Sequence, residues 1–533
     1  MLLKYGRKNT GAKGGPGGAR WRSWGWLAAL LLVFAAALAW RWHFAAKSQI
    51  YTYDSYYYLV LARNLRHGFE YAVAGHPHFK FLPLYPLSIA FLDLFIPSLE
   101  MAGKLSNVLF SAACVFPVFS MGRLVFGRRA GIAAAALFAF EPISVAWSSV
   151  PMSEGLFTLL ACLSALFFLR WMKGCRRRDL YLAAGAAGLA AVTRWEGMLL
   201  IAFEGLFLLY YWYRGRARLE HVLIAGGLAL APVAVFALRN LIVFGTPFKS
   251  AYADEMSNYL PQLEMFSKGE RIRRYLIFSD LDPSGISSRS YHWGYLLFGY
   301  GGLALSLCVR RFRRYALFLW AWLIFMGPMH FLWYFASVRF LIPAVPPLCL
   351  GAGALLGVPV EKMERRRLPA ATGAVLLALA VCVTAALAVT SRPATNDFYR
   401  RNITFLEDDL GGFASREALL WLRDNGGEGE VVTNMGAEAS FYLGRDALFL
   451  GDWQDFEPAD VDPGRLLEDG REKGVRYIVI YSTRRDIENA MEIAGIDYGI
   501  ASRLELMAEF YAPPTDTDNV SAYAFVFELP TEE

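Results

Sequence analysis

Two carboxylates stand where long apolar runs end or begin. Asp54 lies in Tyr51-Thr-Tyr-Asp-Ser-Tyr-Tyr-Tyr58, just past the first apolar segment, and Glu154 lies in Ser149-Val-Pro-Met-Ser-Glu-Gly155, where another begins. A carboxylate crowded by aromatic rings at the edge of an apolar run is a candidate general base. Glu154 is a candidate second acid facing it. Each also has a structural reading. An Asp before a helix can cap a free backbone N–H, and Ser153 followed by Glu154 suits a helix start. Glu141 directly precedes Pro142 and reads as a helix end.

Cations accompany them. Lys80 (in His78-Phe-Lys80), Arg194 (in Arg194-Trp-Glu196, beside the acid Glu196), Arg239 and Arg339 all sit beside apolar runs. Snorkelling explains part of such placement, but an ionisable residue at membrane depth is a functional candidate by default. Guanidinium groups there suit a lipid phosphate. His78, Lys80, Arg194, Glu196, Arg239, Arg339 and Tyr57 are therefore the candidate substrate-binding residues. His76 and His78 are two apart with no evident third ligand, which gives no metal site.

These residues need a scaffold, and composition identifies it. The 533-residue chain is 56% hydrophobic and 19% charged, whereas soluble domains carry about 25% charged residues. The net charge of +6 does not point to nucleic acid, because the arginines fall in short clusters between apolar runs. Six cysteines, in or beside those runs, show neither metal-ligand spacing nor a disulfide framework and read as small buried hydrophobes.

A helix needs about 20 residues to cross the hydrocarbon. Spans are predicted near 24–45, 101–122, 130–149, 153–172, 180–193, 197–213, 222–243, 292–309, 315–335, 340–358 and 369–390. Basic clusters such as Arg123/Arg128/Arg129 and Arg310/Arg311/Arg313/Arg314 fall on every second connection. By the positive-inside rule this puts the basic tail 1–23 in the cytoplasm and the C-terminus outside. The apolar run 81–97 contains Pro83, Pro86 and Asp93. Counting it as a span would place the Arg123 cluster outside, so it is assigned to the first outer loop as a re-entrant element. The spans themselves are read as nearly free of ionisable residues.

The expectation is an α-helical polytopic membrane protein of about eleven transmembrane helices (24–390), with outer loops 46–100 and 244–291. An extracytoplasmic α/β domain follows at 391–533, beginning with a linker to residue 415. In that domain Arg416–Asn425 reads as an amphipathic helix, and Glu430–Asn434 and Val475–Tyr481 as buried strands. Asn402-Ile-Thr404 and Asn519-Val-Ser521 are glycosylation sequons.

Taken in order, these motifs resemble a known group. Asp54 after the first span, the helical run Tyr56–Arg66 and Pro83-Leu-Tyr-Pro86 resemble the first outer loop of GT-C glycosyltransferases. Within that group the resemblance is to the protein mannosyltransferase (family 39) and aminoarabinose-transferase branch. Ser153-Glu154 resembles the second acidic motif, and Arg239–Pro247 and Arg339–Pro346 resemble motifs of the later spans. Asp54 is not followed by Glu, nor Lys80 by Pro-Pro, as the family's more familiar pattern has them.

The resemblance implies transfer of mannose or another hexose or pentose from a polyprenyl-phosphate donor. The acceptor would be a hydroxyl of a protein, lipid or glycan on the outer face of the cell membrane. It implies Asp54 as base, Glu154 as orienting or stabilising acid, and Arg339 with Lys80 on the lipid phosphate, with no cofactor or metal required. The other classes open are a flippase or transporter of polyprenyl-linked sugars and a non-catalytic glycan-binding assembly partner. A transporter is expected to carry ionisable groups near midplane, which disfavours that class here.

Overall fold

The computed structural model describes residues 16–48, 52–249, 267–279, 292–327, 337–365, 370–399, 412–451, 459–482, 486–512 and 522–530. The two sequons and residues 400–411 of the expected linker lie outside the described residues. The chain opens with helix α1 (Pro16–Ala45), then α2 (Tyr53–Gly68) and the short hairpin β1 (Ala72–Val73) and β2 (His76–Pro77). Helices α3 (Leu84–Asp93), α4 (Leu99–Ala113), α5 (Val115–Val125), α6 (Arg128–Ala139) and α7 (Pro142–Trp147) follow. Next come α8 (Glu154–Gly174), α9 (Arg177–Ala191), α10 (Gly197–Tyr213) and α11 (Leu219–Phe244). The helices Lys268–Ile277, Trp293–Cys308, Arg313–Met326, Val345–Arg365 and Ala370–Tyr399 complete the helical part.

Among the described residues, six helical stretches are long and apolar enough to cross a membrane, fewer than the eleven expected spans. The expected span 130–149 is broken for a definite reason. Pro142 lacks an N–H and cannot continue a helix from α6, so α6 ends at Ala139 and α7 restarts at Pro142. Glu141 starts that helix, contrary to the expectation that it ends one. Its carboxylate accepts from Ile143 N at 3.1 Å and Ser144 N at 2.7 Å. Helix α3 has ten residues, about 15 Å of rise, half of what a crossing needs. It leaves Leu87 and Phe91 exposed, as a re-entrant or interfacial element would.

Two further expectations are corrected. The spans, read as nearly free of ionisable residues, carry buried charges in Arg41 of α1 and Glu204 of α10. Intraprotein hydrogen bonds make both tolerable. Arg41 donates to Ser111 Oγ at 2.8 Å and to the Ala139 carbonyl at 2.7 Å, closing the end of α6. Glu204 lies 2.8 Å from Ser164 Oγ. The cysteines are not uniformly buried: Cys114, Cys162 and Cys349 are, whereas Cys175, Cys308 and Cys382 are exposed.

Helices that share an apolar solvent associate through close packing of small residues. Gly302 lies so close to Gly351 that an added Cβ would stand 1.9 Å from its carbonyl oxygen. This lets Trp293–Cys308 pack on Val345–Arg365, which also packs on α6.

The C-terminal part begins with the helix Gly412–Asn425. Its sheet contains β3 (Glu430–Thr433), β4 (Leu448–Phe449), β5 (Val475–Ser482), β6 (Glu505–Ala512) and β7 (Ala522–Glu528), ordered β4-β3-β5-β7-β6. The β3 pairings with β4 and β5 are parallel, and the β5–β7 and β6–β7 pairings are antiparallel. The expected amphipathic helix and the two expected strands are present. This unit docks on α2: Arg63 bonds the Ser440 carbonyl at 2.7 Å and pairs with Asp446, and the hydroxyls of Tyr56 and Tyr442 are 3.0 Å apart.

Replacing Arg41 by Leu leaves the α6 carbonyls and Ser111 without their donor inside the core. The expected loss is on the order of 3 kcal/mol, read as a lower thermal midpoint in detergent. An unchanged midpoint would contradict this role.

Candidate active site

Four chain segments deliver the charged groups. Thr52 caps α2 by accepting from Ser55 N at 3.3 Å, which leaves Asp54 in the first turn, where the helix dipole attracts negative charge. Asp54 is therefore not the cap. Glu154 opens α8 after Ser153, whose hydroxyl makes no cap bond. That hydroxyl instead meets Tyr58 at 3.0 Å and Arg194 at 3.1 Å. Arg339 enters on the 3-10 turn Val338–Ala344, which Ser337 caps.

The tight turn from α9 to α10 brings in Arg194 and Glu196. Gly197 makes this turn possible, because a Cβ there would stand 2.3 Å from Ala191 N.

The charges converge. Arg339 Nη1 is 2.8 Å from Asp54 Oδ2, and its Nε is 4.0 Å from Glu154 Oε1. Arg194 binds Glu154 Oε1 at 2.7 Å and Glu196 Oε1 at 2.7 Å. Burial disfavours the Arg194 charge, but Glu154 and Glu196 more than offset this and hold its pKa above the usual arginine value. Both guanidiniums also face Phe340, at 5.2 Å for Arg339 and 5.7 Å for Arg194, and Arg339 lies 5.5 Å from the Trp147 ring. Exposure separates the two carboxylates. The Asp54 side chain is 22% exposed and that of Glu154 only 2%, so Asp54 is the one an incoming group can reach.

The other predicted residues form an adjoining wall. Tyr57 is fully buried, its hydroxyl paired with Tyr53 and its ring 5.6 Å from His78. His78 Nε2 accepts from Phe81 N at 3.1 Å, and the ring stacks on Phe81. The half-buried Lys80 places its ammonium 5.7 Å from the Phe81 ring centre. Arg239 donates to the His78 carbonyl at 2.7 Å and the Tyr71 carbonyl at 3.2 Å, tying the hairpin to α11. His76 serves a different contact, 2.8 Å from Asp460 of the C-terminal unit.

Asp54, Glu154, Arg194, Glu196 and Arg339 thus come together, while Tyr57, His78 and Arg239 build the loop beside them. Sequence reading missed Tyr58, Trp147 and Phe340 as parts of the site, and took Ser153 as a helix start within the second acidic motif. Tyr58 and Phe340 each adjoin a residue it had singled out, which was the available signal.

Over residues 76–238 the chain matches the family described as dolichyl-phosphate-mannose-protein mannosyltransferase. ArnT from Cupriavidus metallidurans in the apo state is similar in structure, with 14% identity, 95% of this chain and 98% of that one covered, and a TM-score of 0.60. So is ArnT bound to undecaprenyl phosphate, with 14% identity, 95% and 97% covered and a TM-score of 0.55. The chain has the GT-C fold. A third GT-C structure, the archaeal oligosaccharyltransferase AglB from Archaeoglobus fulgidus with an inhibitory peptide and a dolichol-phosphate, covers 94% of this chain and 74% of its own. Its identity is 14% and its TM-score 0.53. No curated protein sequence is significantly similar to this GT-C chain.

Buried His78, just past the hairpin, carries a pH signature. Burial, aided by the charges of Lys80 and Arg239, lowers the His78 pKa from 6.5 to about 3. The unfolded chain takes up this proton as pH falls through 6.5, and the folded chain only near 3. The stability contributed by neutral His78 is therefore lost as pH falls across that window. The drop in thermal midpoint between about pH 7 and pH 4 is expected to be shallower for His78→Gln than for the wild type. Equal slopes would contradict this.

Proposed function

We propose that the protein is a membrane glycosyltransferase that moves a sugar from a polyprenyl-phosphate donor to an acceptor hydroxyl at the outer membrane face. The observation that carries this reading is the half-open Asp54–Arg339 pair at 2.8 Å beside buried Glu154. The sugar is proposed to be mannose or another hexose or pentose, in line with the matched family's description. Dolichol-phosphate and undecaprenyl phosphate, held by the similar proteins, are the carrier class proposed here.

The chemistry follows from the charges. A lipid phosphate entering the site competes with Asp54 for the Arg339 guanidinium, whose Nε makes no hydrogen bond within the protein. As Arg339 turns to the phosphate, Asp54 is released to take the acceptor proton. The acceptor oxygen attacks the anomeric carbon, the carbon–oxygen bond to phosphate breaks, and the lipid phosphate leaves with its charge stabilised by Arg339. Lys80, in the adjoining loop, is the proposed second cation for that phosphate. Glu154, fixed by Arg194, supplies negative charge where the oxocarbenium-like charge develops. The C-terminal unit, on the outer side in this reading, holds α2 through Arg63 and Tyr56.

Asp54→Asn is expected to lower sugar transfer from polyprenyl-phosphate donors by roughly 10²- to 10⁴-fold while the protein still reaches the membrane. Unchanged turnover would overturn the base assignment. Retained movement of lipid-linked sugar without any transfer would favour the flippase class instead.

Because each carboxylate already has a guanidinium counter-ion, transfer is expected to continue in EDTA. Loss in EDTA that a divalent cation restores would show that arginine does not suffice.

A further inference from the structure

Beside Glu154 lies a small, partly open cavity lined from α4, α6, α7, α8 and the 3-10 turn Val338–Ala344. Its volume is about 10 Å³, close to what one water molecule requires. Asn107, Trp147, Glu154 and Thr158 line it. All four are at least nine-tenths buried. Each contributes one polar atom without a hydrogen-bond partner in the protein: Asn107 Oδ1, Trp147 Nε1, Glu154 Oε2 and Thr158 Oγ1.

The orientation of Asn107 is set by its own bonds. Its amide nitrogen donates to the Trp147 carbonyl at 2.9 Å and the Val150 carbonyl at 2.8 Å, which uses both hydrogens. Its oxygen is left as a pure acceptor. It crowds Gly155, where an added Cβ would stand 2.2 Å from Oδ1. Glu154 spends Oε1 on Arg194 at 2.7 Å, so Oε2 is the lone acceptor at the back of the carboxylate. Thr158 stands four residues after Glu154, on the same face of α8. Its hydroxyl and the Trp147 indole N–H are donors without a partner in the protein.

Two acceptors and two donors around a space for one small molecule match water, which donates twice and accepts twice. We propose that this cavity is a binding site for a single water molecule that fixes Glu154 from behind, with Thr158, Asn107 and Trp147 as positioning residues. The water donates to Glu154 Oε2 and Asn107 Oδ1 and accepts from Thr158 and Trp147. Glu154 is then held on both oxygens, by Arg194 in front and by water behind, and cannot rotate away from Arg339. The Trp147 ring also faces the Arg339 guanidinium, so one residue touches both the water and the phosphate-binding cation.

The water site stands on geometry alone. Its effect on turnover rests on the proposed transferase reading, so the test has two separable arms. A structure of the full chain in lipid nanodiscs, at a resolution that shows ordered water, is expected to place a density peak within hydrogen-bond distance of Glu154 Oε2 and Asn107 Oδ1. A closed cavity, or a protein donor on Oε2, would overturn the site.

In the transfer assay, Thr158→Val is expected to lower kcat by about ten- to a hundredfold, the scale of a small misplacement, with KM for the donor little changed. Thr158→Ser, which keeps the hydroxyl, is expected to retain most activity. If valine and serine variants both turn over like the wild type, the positioning role fails even where the density is present. If both lose activity alike, the hydroxyl is not the determinant and the role fails too.

Discussion

The ion pair between Arg339 and Asp54 is the constraint on which the rest of the site depends. Charges in a low-dielectric setting are costly unless paired and hydrogen-bonded. The pair satisfies this by drawing three distant parts of the chain together: the first turn of α2, the start of α8 and the 3-10 turn at Val338. Arg339 also approaches Glu154, so the two carboxylates share one cation, and Arg194 supplies a second. The arrangement is close to balanced within itself. Within it, Arg339 retains a donor without a protein partner and Asp54 retains partial exposure.

The buried charges divide into two groups by their partners. Arg41 is consumed by carbonyls and Ser111, and Glu204 meets Ser164. Their contacts close helix ends or join neighbouring helices, which is a structural use of charge inside a span. The cluster around Asp54 differs because Asp54 keeps partial exposure and Arg339 Nε has no hydrogen-bond partner in the protein. Depth alone therefore does not distinguish function from architecture; the remaining hydrogen-bonding capacity does.

The C-terminal unit is part of the same mechanical system. Helix α2 carries Asp54 at its start, and Tyr56 and Arg63 further along it are bound by the sheet-containing unit. His76, on the hairpin that follows, contacts the same unit through Asp460. A displacement of that unit would be felt first by the helix and hairpin that flank the proposed base.

Sequence pattern sufficed for the helical membrane class, for the carboxylates at helix starts and for arginines beside apolar runs. Those features depend on local apolar runs and on charge placed against them. It also located the amphipathic helix and two buried strands of the C-terminal unit, where short-range pattern is strong. It did not reveal β6 and β7, although the connection Pro513-Pro-Thr-Asp-Thr-Asp-Asn519 between them is rich in turn formers. Hydropathy averaged across Pro142 and merged α6 with α7, although the missing N–H forces a break there. Only tertiary structure decided that Arg339 reaches Asp54, that Ser153 serves Tyr58 and Arg194 instead of a helix cap, and that Trp147 lies behind the site. These outcomes depend on helices far apart in sequence packing at close range, and residue type alone does not encode which partner a buried charge will meet.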